Sequence, residues 1–414
     1  MFHPRKIFRR IGPGVITGAS DDDPSGIITY SQAGAQFGYG LLWLAVFTTP
    51  LMMAVQEMSG RLGLVTGRGL AYLLRRHVAP AVALIISLLV LVVNTLNVGA
   101  DLGAMAEVTT LLWPGPASWN LLGFAAIILG LEIWLTYRRY VNILKWLTLS
   151  LLTYVAAALA VTTDWTAIFQ QALIPHWPPV TAWGLIVAVL GTTLSPYLFF
   201  WQASEEVEEE REEQRRAHRT VPITPPRLSA MRRDTVWGMV FSNVVMFFII
   251  VTAAGTLHQA GLTTLESARQ AAEALRPVAG PLTFTLFALG IIGTGLLAVP
   301  ILAGSAAYAV AEVFGWPEGL SKHVRQAPAF YLVIVVAIVF GLVANAVGLS
   351  PVRLLLLTAV MNGLLAPVIL FFLLRLADRP SVVGEHRSPR WVQVGGWSAF
   401  AVLVIAAIVL ISQW

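Results

Sequence analysis

The chain contains no cysteine, which excludes disulfides, thiolate metal sites, iron–sulfur clusters and a cysteine nucleophile. Charge is scarce as well: 12% of the 414 residues are Asp, Glu, Lys or Arg, whereas 57% are hydrophobic. That balance cannot clothe a water-soluble domain and defines a polytopic membrane protein. Histidine is missing from the interior of every long apolar run, since His3, His77, His176, His218, His258, His323 and His386 all fall in loops or at run ends. No intramembrane histidine metal site is therefore visible. Neither His-Glu-x-x-His nor Gly-x-Ser-x-Gly occurs, so an enzyme is not expected and neither is a cofactor. No small-residue cleavage site follows the basic N-terminus M-F-H-P-R-K-I-F-R-R, which does not read as a cleaved signal peptide. The formal net charge of +5 comes from residues flanking apolar runs; it fits lipid headgroups and topology, with no nucleic acid as partner.

Apolar runs long enough to cross a bilayer lie near residues 12–38, 41–66, 81–109, 119–137, 142–162, 180–203, 235–256, 281–313, 327–347, 351–376 and 392–412. Eleven spans put the N-terminus and the C-terminus on opposite sides. A cytoplasmic N-terminus leaves 24 of the 27 Lys and Arg inside and only Arg269, Arg276 and Arg353 outside, an asymmetry that a miscounted span would have scrambled. Residues 1–11 then form a cytoplasmic segment, 12–162 a first five-span unit, 163–179 an external loop and 180–376 a second five-span unit. The remainder is a cytoplasmic loop at 377–391 and an eleventh span at 392–414. Within the second unit, the charged cytoplasmic loop 204–234 begins E-E-V-E-E-E-R-E-E-Q-R-R. It reads as the sixth helix continuing into water, its acids solvated and paired with bases three and four residues away.

Two spans are interrupted. G-A-S-D-D-D-P-S-G at 18–26 sets Asp21, Asp22 and Asp23 before Pro24, inside a stretch too short to be two spans. An ionised side chain in hydrocarbon costs about 2.5–3.5 kcal/mol on insertion scales, and broken backbone survives there only under protein or around a wet cavity. The acids therefore read as a site rather than as a helix cap outside the bilayer. L-G-T-T-L-S-P-Y in the sixth span repeats the pattern, with Thr192 and Ser195 before Pro196, 172 residues after Pro24. Paired interruptions at matching positions of two halves point to a transporter with an inverted repeat and a substrate between the breaks. Pro50, Pro300 and Pro367 have no neighbouring acid and read as packing kinks.

D-P-S-G-I-I-T-Y-S-Q-A-G-A-Q-F-G-Y-G-L-L-W, followed by R-L-G-L-V-T-G-R, resembles the NRAMP family of divalent metal transporters over spans one to ten. The resemblance implies an all-α, LeuT-type fold of two inverted five-helix repeats with helices one and six broken, here with an eleventh helix appended. It implies a metal between the breaks. The family's Asp-Pro-Gly-Asn falls on Asp23, Pro24, Ser25 and Gly26, and its Met-Pro-His on Ser195, Pro196 and Tyr197. Its ligating carbonyls fall on Ser20 and Thr192. Asp23 keeps the aspartate, whereas the asparagine, methionine and histidine are replaced. Asp22, Ser20, Gly26, Thr192 and Ser195 complete the expected metal set. Asp101 takes the place of a third-span aspartate used in proton movement, and Glu107 is the nearest acid to the glutamate that usually follows it.

With Ser195 in place of a thioether the site offers oxygen donors, which suit hard ions and discriminate poorly between magnesium, calcium and manganese. NRAMP-related magnesium transporters, which also lack the methionine, are the closest analogy. Tyr197 in place of histidine implies weak proton coupling, with Asp101 as the remaining carrier. Asp101 shares a helix face with Asn94 and Asn97, and Asn243 and Asn362 border the site or serve as interhelical glue. Glu57 and Arg61 read as an internal ion pair or gate. The expectation is a monomeric secondary transporter of divalent cations in a bacterial inner membrane, working by alternating access. An ordinary proton-coupled manganese or iron transporter and a sodium-coupled amine or amino-acid symporter are the alternatives.

Overall fold

The computed structural model describes residues 12–134, 151–161, 164–175, 178–218, 221–273, 283–345 and 350–413. Its regular structure is helical throughout these residues. The first apolar run divides into α1 (Pro13–Asp21) and α2 (Pro24–Phe37), followed by α3 (Trp43–Thr66), the short α4 (Leu70–His77), α5 (Pro80–Leu112) and α6 (Ala117–Trp134). Of the expected fifth span only α7 (Leu152–Val161) is described, followed by α8 (Trp165–Leu173). Arg138, Arg139 and Lys145 lie outside the described residues, as do the basic residues of segment 1–11. The sixth run divides into α9 (Trp183–Thr193) and α10 (Pro196–Ala217). The chain then continues through α11 (Pro225–Ala253), α12 (Ala268–Glu273), α13 (Thr283–Phe314), α14 (Pro328–Asn345), α15 (Pro351–Ala377) and α16 (Arg390–Ile411).

Eight helical stretches among the described residues are long and apolar enough to cross a membrane. With 9 and 14 residues, neither α1 nor α2 crosses ~30 Å of hydrocarbon alone. Pro24 and Pro196 each open a helix, where a missing N–H costs nothing. Pro50, Pro300 and Pro367 lie inside continuous helices. The core forms where α1, α2 and α9 pack against α11 and α15, with α5 packed on α13 and α3 on α10.

The acidic segment departs from expectation. α10 runs unbroken from Pro196 to Ala217, but Glu205, Glu206 and Glu210 are buried rather than solvated. Helices close over this end: a cavity of about 180 Å³ is lined by Pro13 of α1, by Glu206, Glu209, Glu210 and Glu213, and by Asp234 of α11. The acids find partners there, since Gln202 Nε2 donates to Glu206 Oε1 (3.0 Å) and Arg227 donates to Glu213 Oε2 (2.8 Å).

Glu57 is fully buried and takes Arg61 through both Nε (3.1 Å) and Nη2, together with Arg232 Nε of α11 (3.3 Å). Arg61 Nη1 also reaches the His386 carbonyl ahead of α16 (3.3 Å). The pair is thus a junction between α3, α11 and the approach to α16. Removing one member of a buried pair strands the other charge. Arg61→Leu should cost about 3 kcal/mol and lower the melting temperature in detergent, whereas Arg232→Leu, whose side chain is 31% exposed, should cost less; equal melting of wild type and Arg61→Leu would refute this.

Candidate cation site at the two helix breaks

Both breaks begin as helix ends. α1 stops at Asp21, and Asp22 leaves helical geometry (φ −83°, ψ 46°). Asp23 is extended (φ −66°, ψ 172°), as a residue before proline must be. α9 stops at Thr193, and Leu194 makes the same departure (φ −109°, ψ 50°). Each end leaves last-turn carbonyls without helical partners and carries the negative end of a helix dipole. Two such ends inside one protein favour a cation and disfavour an anionic group.

The three aspartates are buried and held differently. Asp23 Oδ1 accepts the Gly26 N–H (2.7 Å), which caps α2. Its Oδ2 accepts Asn97 Nδ2 (3.2 Å), and the Asn97 oxygen accepts Thr358 Oγ1 (2.8 Å). α2, α5 and α15 therefore fix one carboxylate together. Asp21 Oδ2 accepts Ser242 Oγ of α11 (2.7 Å), leaving Oδ1 without a protein partner. Neither oxygen of the fully buried Asp22 makes a close hydrogen bond, the Ser242 hydroxyl acting on it only weakly, and the charges of Asp21 and Asp23 repel its own. Asp101 is likewise fully buried without a close hydrogen bond, with the Ser25 N–H and the charge of Asp23 acting on its carboxylate. Buried carboxylate oxygens without donors are costly, and a cation would offset that cost.

At the second break, Ser195 Oγ donates to the carbonyls of Gly191 and Thr192, both at 2.7 Å. Thr192 Oγ1 donates to Val189 O (3.0 Å). Both hydroxyls spend their proton on backbone and keep lone pairs for a cation. Tyr197 OH donates to the Ser20 carbonyl (3.1 Å), joining the second break to the first. Gly26 supplies an N–H and no side chain. A methyl there would lie 3.0 Å from the Asp21 carbonyl oxygen and 3.5 Å from Asp23 Oδ1, so a larger residue would crowd the site.

Glu107 and Asn243 find their hydrogen-bond partners away from the three aspartates, Asn243 as the interhelical glue that is one of its two expected roles. Glu107 Oε1 accepts the Ala268 N–H at the start of α12 (3.1 Å). Asn243 is spent between α3 and α11, donating to Met239 O (3.0 Å) and accepting from Thr48 Oγ1 (2.9 Å). Asn94 donates to Leu302 O (3.0 Å). Ser242, Thr358 and Tyr30 join the neighbourhood without having been anticipated. Tyr30 is fully buried within range of the charges on Asp21 and Asp22; its place two turns after Asp23 on α2 is the signal available in the sequence. Among the described residues no three Asp, Glu or His side chains converge as a complete metal shell. A cation at this place would take the rest of its shell from carbonyls, hydroxyls or water.

Interrupted helices meeting around buried carboxylates, in an all-helical chain with multiple spans, define a membrane transporter rather than an enzyme. The chain matches the family described as natural resistance-associated macrophage protein-like over residues 14–413, and it belongs to that family. It is 26% identical over 420 residues to the divalent metal cation transporter MntH of Klebsiella pneumoniae, covering 98% of this chain and 92% of that one. It is 27% identical over 404 residues to the MntH of Aeromonas hydrophila, covering 95% and 93%. Its fold is similar to the crystal structure of the manganese transporter of Eremococcus coleocola, with a TM-score of 0.74 and 18% identity across 100% of this chain and 88% of that one. A closed structure of Mhp1, a nucleobase-cation-symport-1 family transporter, aligns with a TM-score of 0.61 and 13% identity over 97% and 92% of the two chains.

Proposed function

We propose that the protein carries divalent metal cations across a bacterial inner membrane by alternating access, with the cation held between the two breaks. The reading rests on one observation above all. Asp21, Asp22 and Asp23 are buried together at the first break, which Tyr197 joins to the second, and Asp22 and half of Asp21 lack a close protein donor. The names of the MntH relatives support the substrate class. In this reading residues 12–162 and 180–376 are inverted repeats, the Arg-rich ends face the cytoplasm, and one chain is the working unit.

Asp23, Asp22, Thr192 and Ser195, with the Ser20 carbonyl, form the expected shell, and all of them offer oxygen. Magnesium and manganese should therefore compete. One observation favours selection for manganese instead: the thioether of Met105 packs at Gly295 beside Pro24, placing a soft donor next to the first break.

Uptake of manganese into proteoliposomes, with increasing magnesium outside and a pH-sensitive dye inside, tests these readings together. The expected result is half-inhibition by magnesium within tenfold of the manganese concentration and little acidification of the lumen. Manganese uptake untouched by a hundredfold excess of magnesium would return the protein to transition-metal selectivity. Absence of any divalent uptake by folded protein would remove the proposal altogether. Acidification lost in Asp101→Asn would make Asp101 a proton carrier without help from a histidine at 197.

A further inference from the structure

α1 has no N-cap side chain of its own: Gly12 occupies that position, and the first-turn N–H groups of a helix need acceptors from elsewhere. A single carboxylate from another helix supplies them. Asp234 Oδ1 accepts the Gly12 N–H (3.0 Å), and Oδ2 accepts those of Gly14 (2.8 Å) and Val15 (3.3 Å). Pro13 has no N–H to satisfy. An aspartate 220 residues downstream is thus the N-cap of the first half-helix.

The same partner helix grips the other end. Ser242, eight residues beyond Asp234 on α11 and so about 12 Å further along it, donates to Asp21 at the C-terminus of α1. Between these contacts the backbones touch. A methyl added at Gly18 would lie 2.2 Å from the Gly238 carbonyl oxygen, and one added at Gly238 would lie 2.1 Å from the Gly14 carbonyl oxygen. α1 is therefore fastened to α11 at its start, its middle and its end, and the two helices lie parallel.

We infer that Asp234 is a positioning residue for the cation site. By capping α1 from α11 it sets the height and tilt of the half-helix that presents the Ser20 carbonyl, Asp21 and Asp22 at the break. The inference rests on the cation reading of that break. α1 is thereby held by α11 as well as by the second break, where Tyr197 reaches the Ser20 carbonyl. Asp234 touches no cation itself.

The test uses the full-length protein in detergent, with hydrogen exchange over residues 12–21, manganese affinity from the EPR signal of free Mn2+, and melting temperature. Asp234→Ala should speed exchange at Gly14 and Val15 at least tenfold and raise the manganese dissociation constant at least tenfold. Asp234→Asn keeps acceptor oxygen and loses charge, and should raise the constant about threefold. A purely structural cap predicts otherwise: lower melting temperature with an unchanged dissociation constant in the folded fraction, which overturns the inference. Should Asp234→Ala fail to fold, Asp234→Asn decides, and unchanged exchange and affinity in it overturn the inference as well. Intact binding with unchanged exchange condemns the role of Asp234 alone. A wild-type protein that binds no manganese brings down the cation reading and this inference with it, whatever the exchange shows about the cap.

Discussion

Asp23→Ala is expected to reduce divalent-cation uptake at least a hundredfold in protein that still folds. The carboxylate has two structural partners, the Gly26 N–H and Asn97, so loss of transport alone could reflect loss of the α2 cap. Asp23→Asn separates the two contributions. Asparagine is as good an N-cap as aspartate, so the Gly26 bond survives while the negative charge disappears. If charge binds the ion, the asparagine variant melts near the wild-type temperature and is as inactive as the alanine variant. Should it transport normally, Asp23 is a cap and the ligands lie elsewhere in the triplet. Asp22→Ala then becomes the decisive variant, because neither of its oxygens makes a close structural hydrogen bond.

The second large effect is expected one step away from the ion. Asn97→Leu should weaken manganese affinity by about 10- to 100-fold, the usual consequence of removing a group that orients a ligand. Asn97 is donor to Asp23 and acceptor from Thr358, and leucine ends both bonds at similar bulk. Thr358→Val removes only the outer bond and should do correspondingly less. The measurement is the dissociation constant of purified protein, with circular dichroism to establish folding. An Asn97→Leu affinity within threefold of wild type would show that α5 and α15 do not fix Asp23.

Much of the architecture follows from local chemistry that a sequence displays openly. Three acids before a proline inside an apolar stretch have few physical solutions in a bilayer, and Pro196 with its hydroxyl neighbours repeats the device. Both became helix ends at the expected residues. Partners across large sequence separations were not legible. Nothing near Asn97 announces Thr358, which is 261 residues away, and nothing near Gly12 announces Asp234. Such pairs depend on how helices are stacked, which apolar periodicity leaves open when most faces are apolar. For the same reason Glu205, Glu206 and Glu210 read as solvated: their spacing fits a charged surface helix, and it is the packing of α3, α13 and α1 around α10 that buries them. Asn243 reads equally as a border of the site or as interhelical glue for the converse reason, since depth in the bilayer does not say which way a side chain faces.

The unbroken course of α10 has a mechanical consequence. Its 22 residues make a rod about 33 Å long, with the second break at one end and the acidic cavity along its outer half. A rod of that length is a lever: a tilt of about 5° about Ser195 sweeps its far end through about 3 Å, the width of a hydrogen bond. Were the rod to tilt, sub-ångström changes of fit at the break would be magnified into displacements large enough to make or break the Arg227 and Glu213 contact. Force applied at that far end would return to the break along the same rod.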